Sequence, residues 1–413
     1  LALALQTRPD VLIIVLDDVA TKDMGLYVPS GVDAPYIEGL AAQGVRFTSA
    51  YANPFCSPSR RSLNTGRWWI TGNGRVCFPP EANTPPLSEV FLPEALPGYA
   101  SAFFGKWHIG GNQTGGAWEC APLTQGYAYW YEGQPGNVDE CGGNDYNDWL
   151  EVNATPSGCT SQLQKLYEPF LVADKFVHGW TLATQPRLAV VNINLPHGPY
   201  HRPPSWLLPT GYPLTPTQRA KYEAMIRAYD ELIGYMLTVV DLASTQVWVI
   251  GDNGTPGGVV GGFEQNRAKG TTFERGVKVP LIVAGAGVTN GGRDANDLVH
   301  IADIFATCVE EARGTAVADG VSLMPILDDV PHFAPHDFVL LGTAWGTPDG
   351  DRASLSADGY KLRQLDTDGD TIPDGEQFYD LNANPGESVN LIADPGQATR
   401  VAAHRAWIQA HSP

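Results

Sequence analysis

Val11-Leu12-Ile13-Ile14-Val15-Leu16, followed at once by Asp17-Asp18, is the stretch on which the fold turns. A continuous, largely β-branched run is expected for a central strand buried on both faces. The two carboxylates lie at its C-terminal end, where open α/β sheets bind their ligands, and hard oxygen donors there suit a divalent cation. Taken alone, an Asp-Asp pair is also a common helix cap or loop feature.

Further segments punctuate the chain on either side. Strands are expected over Arg46–Tyr51, Tyr99–Phe104, Leu188–Leu195, Thr245–Ile250 and Pro280–Ala284, with helices over Tyr36–Gln43, Leu87–Leu96 and Leu298–Ala312. From Thr215 to Leu242, apolar positions Tyr222, Met225, Ile226, Tyr229, Ile233, Met236 and Leu237 recur at intervals of three and four. That spacing predicts a long amphipathic helix packed on the sheet. Past Pro335, strands over His336–Gly342, Ala353–Ser356, Tyr360–Leu365 and Gln377–Leu381 and a helix over Gln397–Gln409 form a second, smaller unit. The expected division is 1–334 and 335–413.

Cys56-Ser57-Pro58-Ser59-Arg60-Arg61-Ser62-Leu63-Asn64-Thr65-Gly66-Arg67 gives the chemistry. Pro58 fixes its own φ and restricts Ser57, which suits a sharp approach to a helix beginning near Ser59. A group at Cys56 then sits at a helix N-terminus, where free N–H groups and the dipole favour an anion. A lone cysteine is otherwise a small buried thiol or half a disulfide. The C-x-P-S-R…T-G-R pattern resembles the signature of type I sulfatases of the alkaline phosphatase superfamily, in which this cysteine is oxidised to formylglycine. Further segments extend the resemblance in order: Gly105-Lys106-Trp107-His108-Ile109-Gly110, Pro196-His197-Gly198-Pro199, Gly251-Asp252-Asn253-Gly254, Lys269-Gly270-Thr271-Thr272 and Tyr379-Asp380-Leu381…Pro385-Gly386-Glu387. It spans Asp17 to Glu387. Three positions depart from the common pattern after Lys269, Arg275 standing for a glycine, Lys278 for an arginine and Asn384 for an aspartate, and Arg275 raises a question about local loop geometry.

The resemblance implies an α/β fold: a large, mostly parallel central sheet flanked by helices, with a small C-terminal antiparallel sheet and helix. It implies a metal site of Asp17, Asp18, Asp252 and Asn253 beside Cys56, an oxygen-rich shell suited to Ca²⁺, or Mg²⁺, rather than zinc. Catalytic groups are implied at Cys56, Arg60, Lys106, His108, His197 and Lys269. A hydrated aldehyde carries two hydroxyls on one carbon, so one can attack sulfur and deprotonation of the other expels sulfate. Neutral His108, expected on the same side of an extended chain as Lys106, can take that proton; protonated His197 can serve the leaving alcohol. Arg60 and the two lysines hold the remaining oxygens.

The expected activity is hydrolysis of small-molecule or carbohydrate sulfate esters, with a formylglycine-generating enzyme as maturation partner. A phosphonate monoester or phosphodiester hydrolase is the alternative, and a catalytically silent binding protein is a third reading. A net charge of −19 argues against nucleic acid as partner. No apolar run approaches the ~20 residues of a membrane span. Of six cysteines, Cys77, Cys120, Cys141 and Cys159 cluster, which points to one or two disulfides and an extracytoplasmic setting, periplasmic or secreted; Cys308 reads as a buried thiol on a helix.

Two stretches stay open. Gly126–Trp149 is dense in Tyr, Trp, Gly and Asn, and its rings either stack on a ligand or form their own small core; Gly126 to Gly133 resembles a strand and turn of many sulfatases, and the remainder through Cys159 reads as a long loop. Asp366 to Glu376 is either a second calcium loop or an acidic hairpin turn.

Overall fold

The computed structural model describes residues 8–68, 89–110, 120–140, 142–181, 186–213, 217–260, 262–343 and 350–412. Ten strands form one sheet, in spatial order Arg293–Ala295, Val45–Phe47, Leu281–Gly285, Thr245–Gly251, Asp10–Leu16, Arg187–Asn192, Ala100–Lys106, Tyr129–Gln134, Trp149–Thr155 and Gly158–Gln164. The five from Thr245–Gly251 to Tyr129–Gln134 run parallel to one another. The sheet turns antiparallel on either side of them.

Val11 to Val15 are 0% exposed, as a strand buried on both faces requires. Val11, Ile13 and Val15 share a core with Leu63, Phe305 and Cys308, whereas Leu12, Ile14 and Leu16 share one with Phe176, Tyr222 and Ile233. Each such side chain contributes about 1.5–3 kcal/mol when removed from water, so a polar residue on either face would be costly. The helix read from its three-and-four spacing runs over Gln218–Leu237 and buries that stripe on the Leu12 face.

The small antiparallel sheet has the order Phe338–Thr343, Gly350–Ser356, Tyr360–Asp366, Gly375–Asp380. Leu340, Leu362 and Phe378 pack against Val401 and Ile408 of the Ala398–His411 helix. Val339, Leu341 and Leu355 pack against Tyr51, Val277 and Leu298. We propose the division at 334/335, in the connection before Phe338.

Several elements differ from expectation. The signature helix spans Cys56–Thr65, starting three residues early, and Ser57 is helical despite preceding a proline. Pro58 lies in the first turn, where the missing N–H has no intrahelical partner in any case. Leu298–Ala312 is a short strand, Val299–His300, followed by a helix over Asp303–Glu311. The Arg46–Tyr51 strand divides into Val45–Phe47 in the large sheet and Ala50–Tyr51 in a two-stranded one. Of the helix expected over Leu87–Leu96, Leu92–Ala95 is helical, Glu89 to Phe91 are not, and Leu87 and Ser88 lie outside the described residues. The loop expected through Cys159 contains instead a hairpin of Trp149–Thr155 and Gly158–Gln164. A disulfide joins Cys120 to Cys159, while Cys77 and Cys141 lie outside the described residues. Cys308 is a buried free thiol on its helix.

Candidate active site

The ends of four neighbouring parallel strands and one helix N-terminus meet at one place. The first strand delivers Asp17 and Asp18, both buried, and Thr245–Gly251 delivers Asp252 and Asn253, both 0% exposed. Asp18 donates its amide to Asp252 Oδ1 at 3.0 Å, and Asp252 donates its own to the Leu16 carbonyl at 3.0 Å. These bonds lock two strand ends together. Gly254 must be glycine, since a Cβ there would lie 1.9 Å from the Arg275 carbonyl oxygen.

Cys56 opens its helix with Sγ 3.5 Å from Asp17 Oδ1, 3.8 Å from Asp18 Oδ1 and 3.3 Å from Lys269 Nζ. Lys269 also pairs with Asp18. Lys106 ends its strand by donating to Asp17 and to Asn137. Arg60 is fully buried: Nε donates to Asp252 Oδ2 at 3.0 Å and Nη1 to the Lys106 carbonyl at 3.1 Å. Nη2 lies 2.8 Å from Asp252 Oδ2 and 3.6 Å from Asp17 Oδ2 with no hydrogen-bond partner among the described residues. Arg60 therefore holds the Asp252 carboxylate and the Lys106 backbone and keeps one donor unengaged. His197 places Nε2 3.7 Å from Asp18 Oδ2.

The chain around His108 is not extended. Gly105 adopts φ 79°, where a Cβ would meet the Asn192 carbonyl oxygen at 2.3 Å, and His108 itself adopts φ 53°. Asp18 is likewise left-handed at φ 73°. Such conformations in non-glycine residues store strain and concentrate at functional sites. The His108 ring is buried, and neither nitrogen has a hydrogen-bond partner among the described residues.

The charges are mutually adjusted. Burial opposes ionisation of Asp17, but Lys106 and Arg60 outweigh it and hold the carboxyl well below the usual range. Asp252 is pushed up to about 6 by burial and by the Asp17 charge. Burial and Asp252 drive the Cys56 thiol well above its ordinary value, so as a thiol it is a poor nucleophile near neutrality. Burial, with Lys106 and Arg60 adding to it, keeps His108 neutral. Burial also lowers His197, with Asp18 opposing.

The donor set fits a hard cation. One atom each from Asp17, Asp18, Cys56 and Asp252 lies within 4.8 Å of the others. Asn253 Oδ1 is buried without a hydrogen-bond partner, while its Nδ2 donates to Asp18 at 2.8 Å and to the Gly254 carbonyl at 2.9 Å. An orphaned buried carbonyl beside three carboxylates suits calcium or magnesium.

Sequence reading had not singled out three contributors. Asn137, on Lys106, lies in a Gln-Pro-Gly-Asn stretch that reads only as a turn. The Tyr146 hydroxyl sits 2.6 Å from the Asn194 carbonyl and 2.7 Å from that of His197, fixing the turn that carries His197. Asp23, 0% exposed, takes up Arg275 at 2.5 Å and Arg219 at 2.7 Å, which is how the loop accommodates arginine in place of glycine. The His201 ring centroid lies 4.4 Å from that of Tyr146, the two rings tilted by 36°.

A family model described as Sulfatase matches residues 9–314. Among curated relatives, human (Homo sapiens) N-acetylgalactosamine-6-sulfatase is 28% identical over 357 residues, which cover 77% of this chain and 66% of the relative. The Ulvan-active sulfatase of Formosa agariphila is 25% identical over 421 residues, covering 94% and 78%. The chain thus spans just under two thirds of the length of the N-acetylgalactosamine-6-sulfatases it matches. Among solved structures, the putative sulfatase yidJ from Bacteroides fragilis superposes with TM-score 0.79 at 19% identity, covering 98% of this chain and 96% of that one. Another, solved in complex with its substrate D-glucosamine-2-N,6-O-disulfate, superposes with TM-score 0.76 at 17% identity, covering 98% and 97%. Those likenesses establish the fold; the family match, over nearly three quarters of the sequence, establishes descent: this chain belongs to the sulfatase family.

Proposed function

We propose that this protein hydrolyses sulfate monoesters, with Cys56 converted to formylglycine. The supporting observation is the placement of Cys56 at a helix N-terminus between Asp17, Asp18 and the Lys269 ammonium. When formed, the hydrated aldehyde supplies a nucleophilic hydroxyl and a second hydroxyl whose deprotonation releases sulfate. Asp17, Asp18, Asp252 and Asn253 would hold Ca²⁺, with Mg²⁺ as the other candidate, and the cation would neutralise charge on the sulfate.

Lys106 and Lys269 bring positive charge to the same point and hold sulfate oxygens as charge develops there. Arg60 acts as a positioning residue, orienting Asp252 and the end of the Lys106 strand. His108, held neutral and with its nitrogens unengaged, accepts the proton of the second hydroxyl. His197, partly exposed beside Asp18, delivers a proton to the leaving alcohol in its protonated form, which burial disfavours and Asp18 favours, so this step is strongest on the acid side of neutrality. The chain's negative field is reversed locally by these cations, so an anionic substrate binds in a protein of net charge −19.

Sulfated carbohydrates are the substrate class we favour, because a similar fold was solved with a sulfated sugar as its substrate. We further propose maturation by a formylglycine-generating enzyme and an extracytoplasmic location, which the Cys120–Cys159 disulfide favours. Among the described residues no helix is long and apolar enough to cross a membrane.

A phosphonate monoester or phosphodiester hydrolase would use the same groups. Paired turnover of an aryl sulfate and an aryl phosphonate, with calcium and with chelator, decides between them. Sulfate turnover in excess, lost on chelation, is expected; preferential phosphonate turnover would overturn the assignment, and no turnover of either would favour the silent binding protein.

A further inference from the structure

A second cavity, of about 600 Å³, opens at the other end of the sheet. It lies between the C-terminal half of the Glu168–Trp180 helix and the starts of three parallel strands. Its lining runs from Ala100, six residues and so roughly 20 Å along the strand before Lys106, to Phe104, whose partner on the next strand is Tyr131.

Its construction is specific. Ala100, Ala102, Ala189 and Gly179 keep the floor free of bulk, and even a Cβ on Gly179 would meet only the Phe104 ring, at 3.6 Å. Tyr129 and Tyr131, on the same side of their strand, stack 5.4 Å apart at 10° and form one wall. Tyr129 is 38% exposed, whereas its neighbour Trp130 points the other way and is fully buried. Tyr129 is therefore not core-filling, whereas Tyr131 is partly buried against the core beneath it.

Three basic residues line the cavity, Lys175, His178 and Arg187, and no carboxylate does. Glu132, next in sequence to Tyr131, stands within electrostatic reach of Lys175. Arg187 is fixed from behind by Asp10 and lies 4.2 Å over the Trp180 ring; His178 sits 3.5 Å from Asp174. Lys175 places its ammonium 5.0 Å over the Tyr131 ring and makes no ion pair among the described residues. The exposed Tyr129 ring, with the Lys175 ammonium beyond it over Tyr131, matches a pyranose ring bearing an anionic substituent, its C–H groups on the Tyr129 face and the anion on the ammonium.

We propose that this cavity is an accessory binding site for an acidic sugar residue of a glycan chain, remote from the catalytic centre. A polyanionic glycan is repelled by most of this surface, and a second anchoring point raises its effective concentration at the first. The glycan class rests on the sulfate-ester reading above; the site itself does not.

The test uses titration calorimetry on the full chain carrying Cys56→Ala, which removes turnover, with a sulfated galactan hexasaccharide and its desulfated counterpart as probes. Lys175→Ala and Tyr131→Ala added to that background should each weaken binding of the sulfated probe about tenfold, and the desulfated probe should bind more weakly than the sulfated one. In the otherwise unchanged enzyme, the same two substitutions should raise KM on the polymer and leave turnover of a small aryl sulfate unaltered, which also certifies folding. Unchanged affinity in both variants, or equal binding of the two probes, overturns the proposal. Binding lost in these variants in a chain that turns over no sulfate would retain the site and sink the sulfatase reading instead.

Discussion

Lys361 is a fully buried charge outside the candidate active site. It is 0% exposed, and its ammonium reaches Glu274 Oε1 at 2.7 Å, Glu387 Oε1 at 3.1 Å and the Thr272 carbonyl at 3.1 Å. Glu387 in turn accepts the Glu274 amide at 2.7 Å, and Tyr51 donates to Glu274 at 3.1 Å. This cluster ties the small sheet to the loop that follows Lys269. Lys361→Met removes the cation and leaves two buried carboxylates facing one another with only the more distant Lys278, 3.7 Å from Glu274. Breaking a buried pair in this way costs about 3–5 kcal/mol. At ~2.1 cal/mol/K per residue, 413 residues unfold with an entropy near 0.9 kcal/mol/K, so Tm should fall by about 3–6 °C in calorimetry. Combining Lys361→Met with Glu274→Gln and Glu387→Gln should restore most of that loss, because neutral partners remove the unpaired charge. A single variant within about 1 °C of the parent, or a triple variant no better than the single, would refute the reasoning.

Three further outcomes follow. Cys56→Ser leaves one hydroxyl where two are needed, so turnover of aryl sulfate should fall at least ~10³-fold, the enzyme stalling as a covalent sulfate ester visible by intact mass. His300, fully buried, has its pKa lowered to about 4 by burial, against Asp303, and its Nδ1 accepts the Ala302 amide at 3.2 Å. The unfolded chain therefore takes up the proton first: this stability is complete above pH 6.5 and is lost as pH falls toward 4, by up to about 3 kcal/mol. Urea titrations should show the advantage over His300→Gln shrinking across that range; a constant difference would contradict it. Reduction of Cys120–Cys159, which closes a 39-residue loop, should cost about 4 kcal/mol of stability without abolishing the fold.

What the sequence disclosed and what it withheld have physical causes. The first strand was legible because burial on both faces forbids polar residues in it. Asp17, Asp18, Asp252, Asn253 and Lys106 lie at or just past the ends of apolar runs, but it was the resemblance carried by their motifs that singled them out. The Trp149–Gln164 hairpin was not. Its outer strand, Gly158–Gln164, is an exposed edge of small and polar residues with no alternation to read. Its inner strand carries a buried glutamate, Glu151, bonded to Asn153, Gln162 and Gln164. Asn137 and Asp23 escaped notice because their partners, Lys106 and Arg275, are tens to hundreds of residues distant, and nothing local sets them apart from turn residues. The early start of the signature helix was misjudged because Pro58 was read as a barrier rather than as a first-turn residue. The aromatic stretch after Gly126 divided: Tyr127 and Trp130 entered the core, Tyr129 remained at the surface and Tyr131 is partly buried against the core.

The central claim is tested most directly by mass spectrometry of the proteolytic peptide containing Cys56, from protein produced together with a formylglycine-generating enzyme. The account predicts an aldehyde at position 56 that forms a hydrazone. A peptide that remains a thiol, in protein that turns over no aryl sulfate in the presence of calcium, would contradict it.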